Sequence, residues 1–428
     1  MAERTGDEAG AWSVIRVASG NFLEMYDFQV FGYYAAAIGA TFFPSRDPFT
    51  SLLASFMTFG AAFLMRPLGA IILGAYADKH GRRAGLLVTL SLMSVGILTL
   101  TVMPGYAAIG LIAPLAVLAG RLLQGFSAGM ELGGVSVYLA EIAPPGRKGF
   151  YTSWQSASQQ VAVVLSAAIG IALASRLSPA AMTAWGWRIP LGVGCLIVPV
   201  LLVLRRSLPE TRAFAERTLH PTWGEIFAGL ARHWGRIAVG VLMTTLTTVS
   251  FYMITVYTPS FGTQVLRLPA LPVFAVTAAV GVSNFIWLPV MGTVSDRIGR
   301  RPVLITISAL MLIGAYPAML WLVHAPSFGR LLAVELFFSF VFGAYNGALV
   351  AYLTEIVPQS LRASGFSLAF STATALFGGF TPAIATLLVH QTGNRAAPGL
   401  WLTAAAALSL IAVLFARSAP PEPAWPRL

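Results

Sequence analysis

The stretch Gly74-Ala-Tyr-Ala-Asp78-Lys79-His80-Gly81-Arg82-Arg83 is a strongly charged turn in a long apolar sequence, and it occurs twice. Its second copy is Gly292-Thr-Val-Ser-Asp296-Arg297-Ile-Gly299-Arg300-Arg301. The aspartates of the two copies, at positions 78 and 296, are 218 positions apart. The glycines and arginines that follow them have the same separation. The copies are therefore in register, and the chain divides into two related halves.

Composition places the chain in a membrane rather than in water. Hydrophobic residues make up 57% of its 428 residues, charged residues 10%, and the mean hydropathy is +0.76, which leaves too little polar surface for a soluble domain. The formal charge of +11 does not indicate nucleic-acid binding, because the basic residues lie in short gaps between apolar runs. Residues 1–12 lack the apolar core of a cleavable signal, and a packing role is expected for the single cysteine, Cys195.

A membrane-spanning helix needs about 20 apolar residues, and the sequence contains twelve such segments. They are 14–40, 51–77, 85–103, 108–140, 150–175 and 188–206 in the first half, and 236–262, 270–294, 302–323, 330–356, 362–390 and 398–417 in the second. With cytoplasmic termini, nineteen of the 27 lysines and arginines would lie inside, six outside, and Arg66 and Arg121 within spans. This bias predicts a multi-pass protein of the bacterial cytoplasmic (inner) membrane with both termini cytoplasmic.

A second repeat supports the division into halves. Tyr138-Leu-Ala-Glu141-Ile-Ala-Pro144 recurs as Tyr352-Leu-Thr-Glu355-Ile-Val-Pro358, so that positions 141 and 355 are 214 apart. Each copy ends the long fourth helix of its half, where proline stops the helix. The predicted fold is an all-α integral membrane protein with two pseudo-symmetric six-helix bundles, 14–206 and 236–417. A cytoplasmic linker, 207–235, joins them as a tether or with a short surface helix at 225–230, and cytoplasmic tails cover 1–13 and 418–428.

These features resemble the major facilitator superfamily, in which each half has a Gly-x-x-x-Asp-x-x-Gly-Arg-Arg turn between its second and third helices. The stretch Gly20-Asn21-Phe22-Leu23-Glu24-Met25-Tyr26-Asp27-Phe28 resembles the first-helix signature of its metabolite:proton symporter family, with Met25 where that family usually carries tryptophan. Further matches are Arg66-Pro67-Leu68-Gly69, Arg121-Leu-Leu-Gln124-Gly125, Pro144-Pro145-Gly146-Arg147-Lys148-Gly149 and Leu208-Pro209-Glu210-Thr211. The resemblance covers essentially the whole chain and implies the major facilitator fold.

Within that family, three stretches are most similar to the citrate and tricarballylate carriers. They are Asn346-Gly347-Ala348, Gly365-Phe366-Ser367-Leu368-Ala369 and Phe377-Gly378-Gly379-Phe380-Thr381-Pro382. The resemblance implies proton-coupled uptake of a tricarboxylate (citrate or tricarballylate) by alternating access, in a monomer in the lipid bilayer that uses protons as coupling ion and no cofactor or metal. Because related carriers share much of this framework, symport of a dicarboxylate or a zwitterionic osmolyte is the alternative. A membrane receptor or enzyme on this scaffold is a third, although no nucleotide loop, metal-ligand cluster or nucleophile elbow occurs and no enzyme activity is expected.

Four ionisable residues at membrane depth are candidates for proton coupling: Glu24, Asp27, Arg66 and Glu131. Each should face a cavity or a partner, because such a side chain costs about 2.5–3.5 kcal/mol to insert. Glu24 and Asp27 share one helix face with Asn21 near the membrane midplane, where they carry protons or form a permanent ion pair. Arg66, about 18 Å into the membrane from the charged turn, is expected to pair with one of them. Glu131 either carries a proton or marks a close contact among small residues.

Arg121, inside the fourth span, is the predicted cation for a substrate carboxylate, because a guanidinium can hold a carboxylate through two parallel hydrogen bonds. The resemblance associates the corresponding arginine of the superfamily with the central cavity, and packing through a backbone hydrogen bond is the alternative. Glu335 takes the equivalent position in the second half and is expected to pair with Arg330. Polar residues that either complete the substrate site or bond to neighbouring helices are Asn21, Gln124, Gln155, Gln159, Asn284, Tyr345, Asn346, Thr372 and Thr381.

The charged turns and the acidic ends of the long helices are predicted to form a cytoplasmic gate. Its members are Asp78, Arg82, Arg83, Glu141, Asp296, Arg300, Arg301 and Glu355. The aspartates can cap a helix end that they face, and the arginines can reach the glutamates across the surface. We expect these contacts to latch the outward-open state and to part in the inward-open one, with topogenic charge alone as the alternative.

Overall fold

The computed structural model describes residues 22–80, 82–129, 131–206, 230–357 and 362–416. Within these ranges nearly every residue is helical, and no β-strand occurs. The all-α prediction is confirmed. Both predicted tails and residues 207–229 of the predicted linker lie outside the described residues.

The first half contains nine long helical segments. They are α1 (Phe22–Tyr33), α2 (Ala35–Phe42), α3 (Pro48–Leu64), α4 (Arg66–His80), α5 (Arg82–Val102), α6 (Ile112–Ala128), α7 (Glu131–Ile142), α8 (Lys148–Ala174) and α9 (Arg188–Arg206). The break between α3 and α4 falls at Met65, just before Arg66-Pro67, where the proline has no N–H to donate and crowds the residue before it. This break sets where the Arg66 side chain leaves the second span.

The second half contains seven long helical segments. They are α10 (Trp234–Tyr252), α11 (Ala270–Ile298), α12 (Arg300–His324), α13 (Phe328–Ile356), α14 (Arg362–Ala373), α15 (Thr381–Thr392) and α16 (Pro398–Phe415). A π-helical turn, Thr374–Gly378, joins α14 to α15. This irregular turn lies where the sequence Gly378-Gly379 and Pro382 predicts an interrupted helix.

Length and apolar content identify nine spans in the described part of the chain, if Pro179–Gly186 and Arg188–Val203, which are bent by 41°, count as one. The other three are the first span, formed by α1 and α2, the third, formed by α5, and the fourth, formed by α6 and α7. Length and apolar content do not identify these three spans, because they consist of shorter helices or begin with charged residues. The result is twelve spans, six in each half, as predicted. The fourth span predicted over 108–140 contains α6 and α7, and residue 130 between them lies outside the described residues.

Glycines bring α8 and α11 into backbone contact across the boundary between the halves. A Cβ atom on Gly149 would overlap the Gly292 carbonyl oxygen, and one on Gly292 would lie 2.5 Å from the Gly149 carbonyl oxygen. Further along the same pair of helices, a Cβ on Gly170 would lie 2.7 Å from the Phe274 ring. A second contact between the halves joins α3 to α15 and to the turn Thr374–Gly378.

The second charged turn lies at one end of this boundary, which we call the charged end. The Asp296 carboxylate accepts hydrogen bonds from the backbone N–H groups of Gly149 (2.8 Å) and Phe150 (3.0 Å), so it caps the first turn of α8 in the other half. Arg300 Nη2 lies 2.6 Å from Asp296 Oδ1, and Arg300 Nε lies 3.6 Å from Glu355 Oε1. The Asp296 hydrogen bonds join the two halves at the charged end, whereas both contacts of Arg300 lie within the second half.

The glycine of the second charged turn and the remaining predicted gate residues lie in different surroundings. Gly299, between α11 and α12, has a φ of +92°, a conformation that strongly favours glycine. Arg301 donates to the Leu414 carbonyl at 2.8 Å, and Glu141 is exposed. The gate residues whose side chains lie outside the described part are Asp78, Arg82 and Arg83.

The seventh span is irregular where it approaches the opposite end. After α10 it continues as a π turn, Met253–Tyr257, a short helix, Thr258–Ser260, and a second π turn, Phe261–Val265. π turns are rare and occur often at functional sites.

This irregular segment packs against α1 of the first half. A Cβ on Gly32 would overlap the Val256 side chain. Gln29 Nε2 donates to Thr255 Oγ1 at 3.2 Å, and Ser260 Oγ donates to the Gly32 carbonyl at 3.4 Å. The halves therefore touch at the end opposite the charged turns as well.

Candidate functional site

Four charged side chains are buried together where α1, α4 and α6 meet: Glu24, Asp27, Arg66 and Arg121. Each is at most 4% exposed. Arg66 Nη2 is ion-paired with Glu24 Oε1, and Arg121 Nη1 lies 2.5 Å from Asp27 Oδ2. Two carboxylates and two guanidinium groups give a net charge of zero, which is the arrangement that a low-dielectric interior tolerates.

Aromatic rings surround both guanidinium groups. The Arg66 guanidinium carbon lies 5.1 Å from the centroid of Phe28 and 4.5 Å from that of Phe63. The Arg121 carbon lies 4.8 Å from Phe28 and 4.5 Å from Phe31. These distances are those of cation–π contacts, and the two ion pairs share Phe28 as a common neighbour.

The two arginines bind different carboxylates of the protein. Arg66 pairs with Glu24, one of the two partners expected for it. Arg121, expected to hold a substrate carboxylate or to bond to the backbone, instead donates to two side chains, Asp27 and Gln124, the latter at 2.6 Å. In this conformation Arg121 is therefore already engaged with a carboxylate of the protein itself.

A narrow cavity of about 30 Å³ lies between the halves, which in this conformation is smaller than a typical small-molecule site. Its lining comes from both halves of the chain. The lining residues are Met25, Arg66, Ser156, Gln159, Thr247, Thr248, Phe251, Tyr252, Phe342, Asn346, Phe370 and Thr374. The charged residue of this lining is Arg66.

Several polar atoms of the cavity residues are buried and lack a hydrogen-bond partner in the described part of the chain. They are Arg66 Nε, Gln159 Nε2, Thr247 Oγ1 and Asn346 Oδ1. The oxygen and nitrogen of the Asn346 amide are interchangeable by rotation, so all four residues can donate a hydrogen bond. Because buried polar groups are normally partnered, this set is suited to a ligand with several acceptor oxygens, such as a carboxylate.

Other residues predicted for the substrate site do not line this cavity. They are Arg121, Gln124, Gln155, Tyr345, Thr372 and Thr381. Tyr345 donates to the Met243 carbonyl at 2.8 Å, and Gln155 Oε1 accepts from Ser156 at 2.7 Å. The Tyr345 hydroxyl and the Gln155 side-chain oxygen therefore bond to neighbouring protein atoms, which is the alternative weighed for them. Asn21 and the side chain of Glu131 lie outside the described part.

Sequence reasoning missed the seventh span as a wall of the cavity. Thr247 and Thr248 line it, followed one turn later by Phe251 and Tyr252. The signal available was the run Thr244-Thr245-Leu-Thr247-Thr248 inside an otherwise apolar span. Three of these four hydroxyls bond to backbone carbonyls of their own helix, and that of Thr247 has no partner in the described structure.

Known protein families match both halves of the chain. The model of the family described as "Sugar (and other) transporter" matches residues 12–218, and that of the "Major Facilitator Superfamily" matches residues 276–427. The "Citrate-proton symporter" of Salmonella typhi is 58% identical, with 97% of each chain covered, and that of Klebsiella pneumoniae is 55% identical, with 98% of this chain and 94% of the relative covered. The "Alpha-ketoglutarate permease" of Escherichia coli strain K12 is 33% identical over 88% of this chain and 87% of the relative.

Solved structures share the fold at low sequence identity. A crystal structure of the D-xylose-proton symporter has a TM-score of 0.76 and 18% identity, with 94% of this chain and 96% of that chain covered. An inward-open structure of the Escherichia coli xylose transporter has a TM-score of 0.74 and 17% identity, with 96% and 97% covered.

Proposed function

Because this chain belongs to the major facilitator superfamily and, within it, to the metabolite:proton symporters, we propose that it is a carrier that takes up citrate together with protons by alternating access. The observation that carries the proposal is the near full-length similarity to two citrate-proton symporters. The cavity between the halves supports it, because its arginine and its unpartnered polar groups suit an anion with several carboxylate oxygens.

We assign the substrate carboxylate to Arg66 rather than to Arg121. Arg66 lines the cavity, whereas Arg121 lies outside the lining. Both guanidinium groups keep unpartnered nitrogen atoms in the described structure, so position relative to the cavity decides the assignment. Gln159 and Asn346 lie on different halves and would hold further carboxylate oxygens, so that citrate would bridge the halves.

Proton coupling follows from the ion pair between Arg66 and Glu24. A proton on Glu24 removes the negative charge that holds the Arg66 guanidinium, so that Arg66 is free to bond to an anion in the cavity. Loss of that proton restores the ion pair and weakens the hold on the anion. In this scheme the pair of Arg121 with Asp27 is a second candidate coupling site, which lies outside the cavity lining.

Alternating access would use the contacts at the two ends of the cavity in turn. At the charged end, Asp296 must leave the backbone of α8 before substrate can exit there. At the opposite end, α1 must separate from the irregular seventh span. The surplus of basic residues predicted near the charged end supports its assignment to the cytoplasm of a bacterial inner membrane, with the carrier acting as a monomer in the bilayer.

Uptake into proteoliposomes tests the function. Purified protein should accumulate labelled citrate when the outside is acidic, and a protonophore should abolish the accumulation. Labelled tricarballylate, 2-oxoglutarate and glycine betaine provide the competing substrates. Gradient-dependent uptake of betaine or 2-oxoglutarate without citrate uptake would refute the tricarboxylate assignment, and citrate uptake that ignores the pH gradient would refute symport.

A further inference from the structure

A carboxyl group outside the cavity, that of Glu335, is buried in the second half. Glu335 is seven residues after Phe328, the first residue of α13, so it lies about 10 Å into the helix, and it is 4% exposed. The pairing with Arg330 expected from sequence is wrong, because Arg330 Nη1 donates instead to the Trp321 carbonyl at 2.9 Å. Among the described residues no lysine or arginine forms an ion pair with Glu335.

Glu335 bonds to the irregular seventh span through Thr258. Thr258 Oγ1 lies 2.8 Å from Glu335 Oε1 and 3.1 Å from the carbonyl oxygen of Met253. Met253 is the first residue of the π turn Met253–Tyr257. A hydroxyl has one hydrogen, and a carbonyl oxygen can only accept. Unless the two oxygens share that one hydrogen, both bonds form together only if Glu335 carries a proton and donates it to Thr258.

Other charged and titratable groups around α13 do not neutralise Glu335. Arg330 and the exposed His324 lie towards the end of the bundle that is nearer to Glu335. Tyrosines lie along the span. The tyrosines on the elements packed against α13 are Tyr138, Tyr151, Tyr252, Tyr257 and Tyr316, with Tyr345 and Tyr352 on α13 itself. Groups at the charged end, such as Glu355, are about 30 Å away along α13. No hydrogen bond of these groups involves Glu335, and its Oε2 has no partner in the described structure.

We propose that Glu335 is a second proton-binding site, in which the bound proton keeps the Thr258 hydroxyl on the Met253 carbonyl and so stabilises the π turn that packs against α1. An ionised Glu335 would need the single hydrogen of Thr258 for itself, because it is buried without a cation. The Met253 carbonyl then loses its hydrogen bond from Thr258. The irregular segment of the seventh span, which packs against α1 at the end opposite the charged turns, becomes less stable. The proposal goes beyond the citrate site, and rests on the proposed function only in taking the proton as the coupling ion.

Infrared difference spectroscopy of the full-length protein in liposomes, without substrate, tests the bound proton. Wild-type protein at neutral pH should show the C=O stretching band of a protonated carboxyl group, which Glu335→Gln should lack. In Thr258→Val the band should shift in frequency, because the carboxyl loses its hydrogen-bond partner. Glutamine keeps the size of the side chain and an N–H donor for Thr258, so the variant should fold. An unchanged carboxyl spectrum in Glu335→Gln would overturn the proposal.

Hydrogen exchange tests the effect on the π turn. At alkaline pH, backbone exchange in the segment 253–260 should be about tenfold faster in wild type than in Glu335→Gln, which corresponds to about 1.4 kcal/mol, the size of one net hydrogen bond. At acidic pH the two should exchange alike. Ser339→Ala, one turn further along α13, is the matched control and should behave as wild type. Equal exchange in wild type and Glu335→Gln at alkaline pH would contradict the proposal.

Neither measurement needs citrate, so they separate this proposal from the proposed function. If wild type fails to take up citrate, only the substrate assignment falls. If it does take up citrate, Glu335→Gln should keep citrate counterflow, which needs no proton gradient, and lose at least tenfold in proton-driven accumulation. Accumulation equal to wild type would remove Glu335 from the coupling path.

Discussion

Replacement of Glu24 by glutamine removes the negative charge from the ion pair with Arg66 while keeping the shape of the side chain. In wild type the substrate competes with Glu24 for the Arg66 guanidinium, and a proton on Glu24 ends the competition. Glu24→Gln should therefore behave at alkaline pH as wild type does at acidic pH. Citrate affinity should rise at alkaline pH and lose most of its dependence on pH.

The size of the effect follows from the contacts of Arg66. The attraction between unit charges about 4 Å apart is about 4 kcal/mol at an effective dielectric constant of 20, which sets the upper limit. The Nε group already has no partner in the described structure, so wild type can form one bond to substrate without breaking the pair. The variant adds one charge-assisted hydrogen bond, worth about 1.5–3 kcal/mol, which is a gain of about 10- to 150-fold in affinity.

Equilibrium binding of citrate to purified protein, at acidic and at alkaline pH, measures this gain. Asp27→Asn is the matched control, since Asp27 is the other buried carboxylate of α1 but pairs with Arg121, outside the cavity lining. Its citrate affinity at alkaline pH should stay near that of wild type. The reasoning is refuted if Glu24→Gln binds citrate no more tightly than wild type at alkaline pH, or if Asp27→Asn gains equally. In proteoliposomes Glu24→Gln should exchange citrate but fail to accumulate it.

Three further substitutions test the packing and the cavity. Arg121→Ala should lower the free energy of unfolding by about 3–5 kcal/mol, because it leaves a buried carboxylate without its cation. In thermal unfolding in detergent, the double variant Arg121→Ala with Asp27→Asn should recover part of the lost stability. No recovery would count against a paired charge. Gly149→Ala, whose methyl meets a backbone carbonyl of α11, should lower the unfolding temperature, whereas Gly192→Ala, in open space, should not; equal effects would rule out the close contact. Asn346→Ala should weaken citrate binding about fivefold through loss of one hydrogen bond, and an unchanged binding isotherm would remove this residue from the site.

The architecture was predictable because its signals are local and repeated. Twelve apolar stretches and two copies of a charged turn, in register at Asp78 and Asp296, do not depend on how helices rotate against one another. The partners of the buried charges do depend on that rotation. Whether Arg66 or Arg121 reaches the cavity depends on this rotation too, which the spacing of charged residues does not reveal.

Glu335 shows a second limit of sequence reasoning. The repeat placed it opposite Arg121 in the other half, and its nearness in sequence to Arg330 favoured an ion pair. The structure turns it towards Thr258, because π turns in the seventh span change the direction in which its side chains point. Such turns carry no simple sequence pattern, so this contact could not be predicted.

The zero net charge of the cluster formed by Glu24, Asp27, Arg66 and Arg121 bears on how the proposed carrier returns empty. Moving one elementary charge across the membrane potential costs about 2.3 kcal/mol per 100 mV. An unloaded, unprotonated cluster presents no net charge to that field, so its reorientation should not depend on voltage. A cluster that has taken up a proton without its anion would carry an uncompensated positive charge, and its reorientation should therefore depend on voltage.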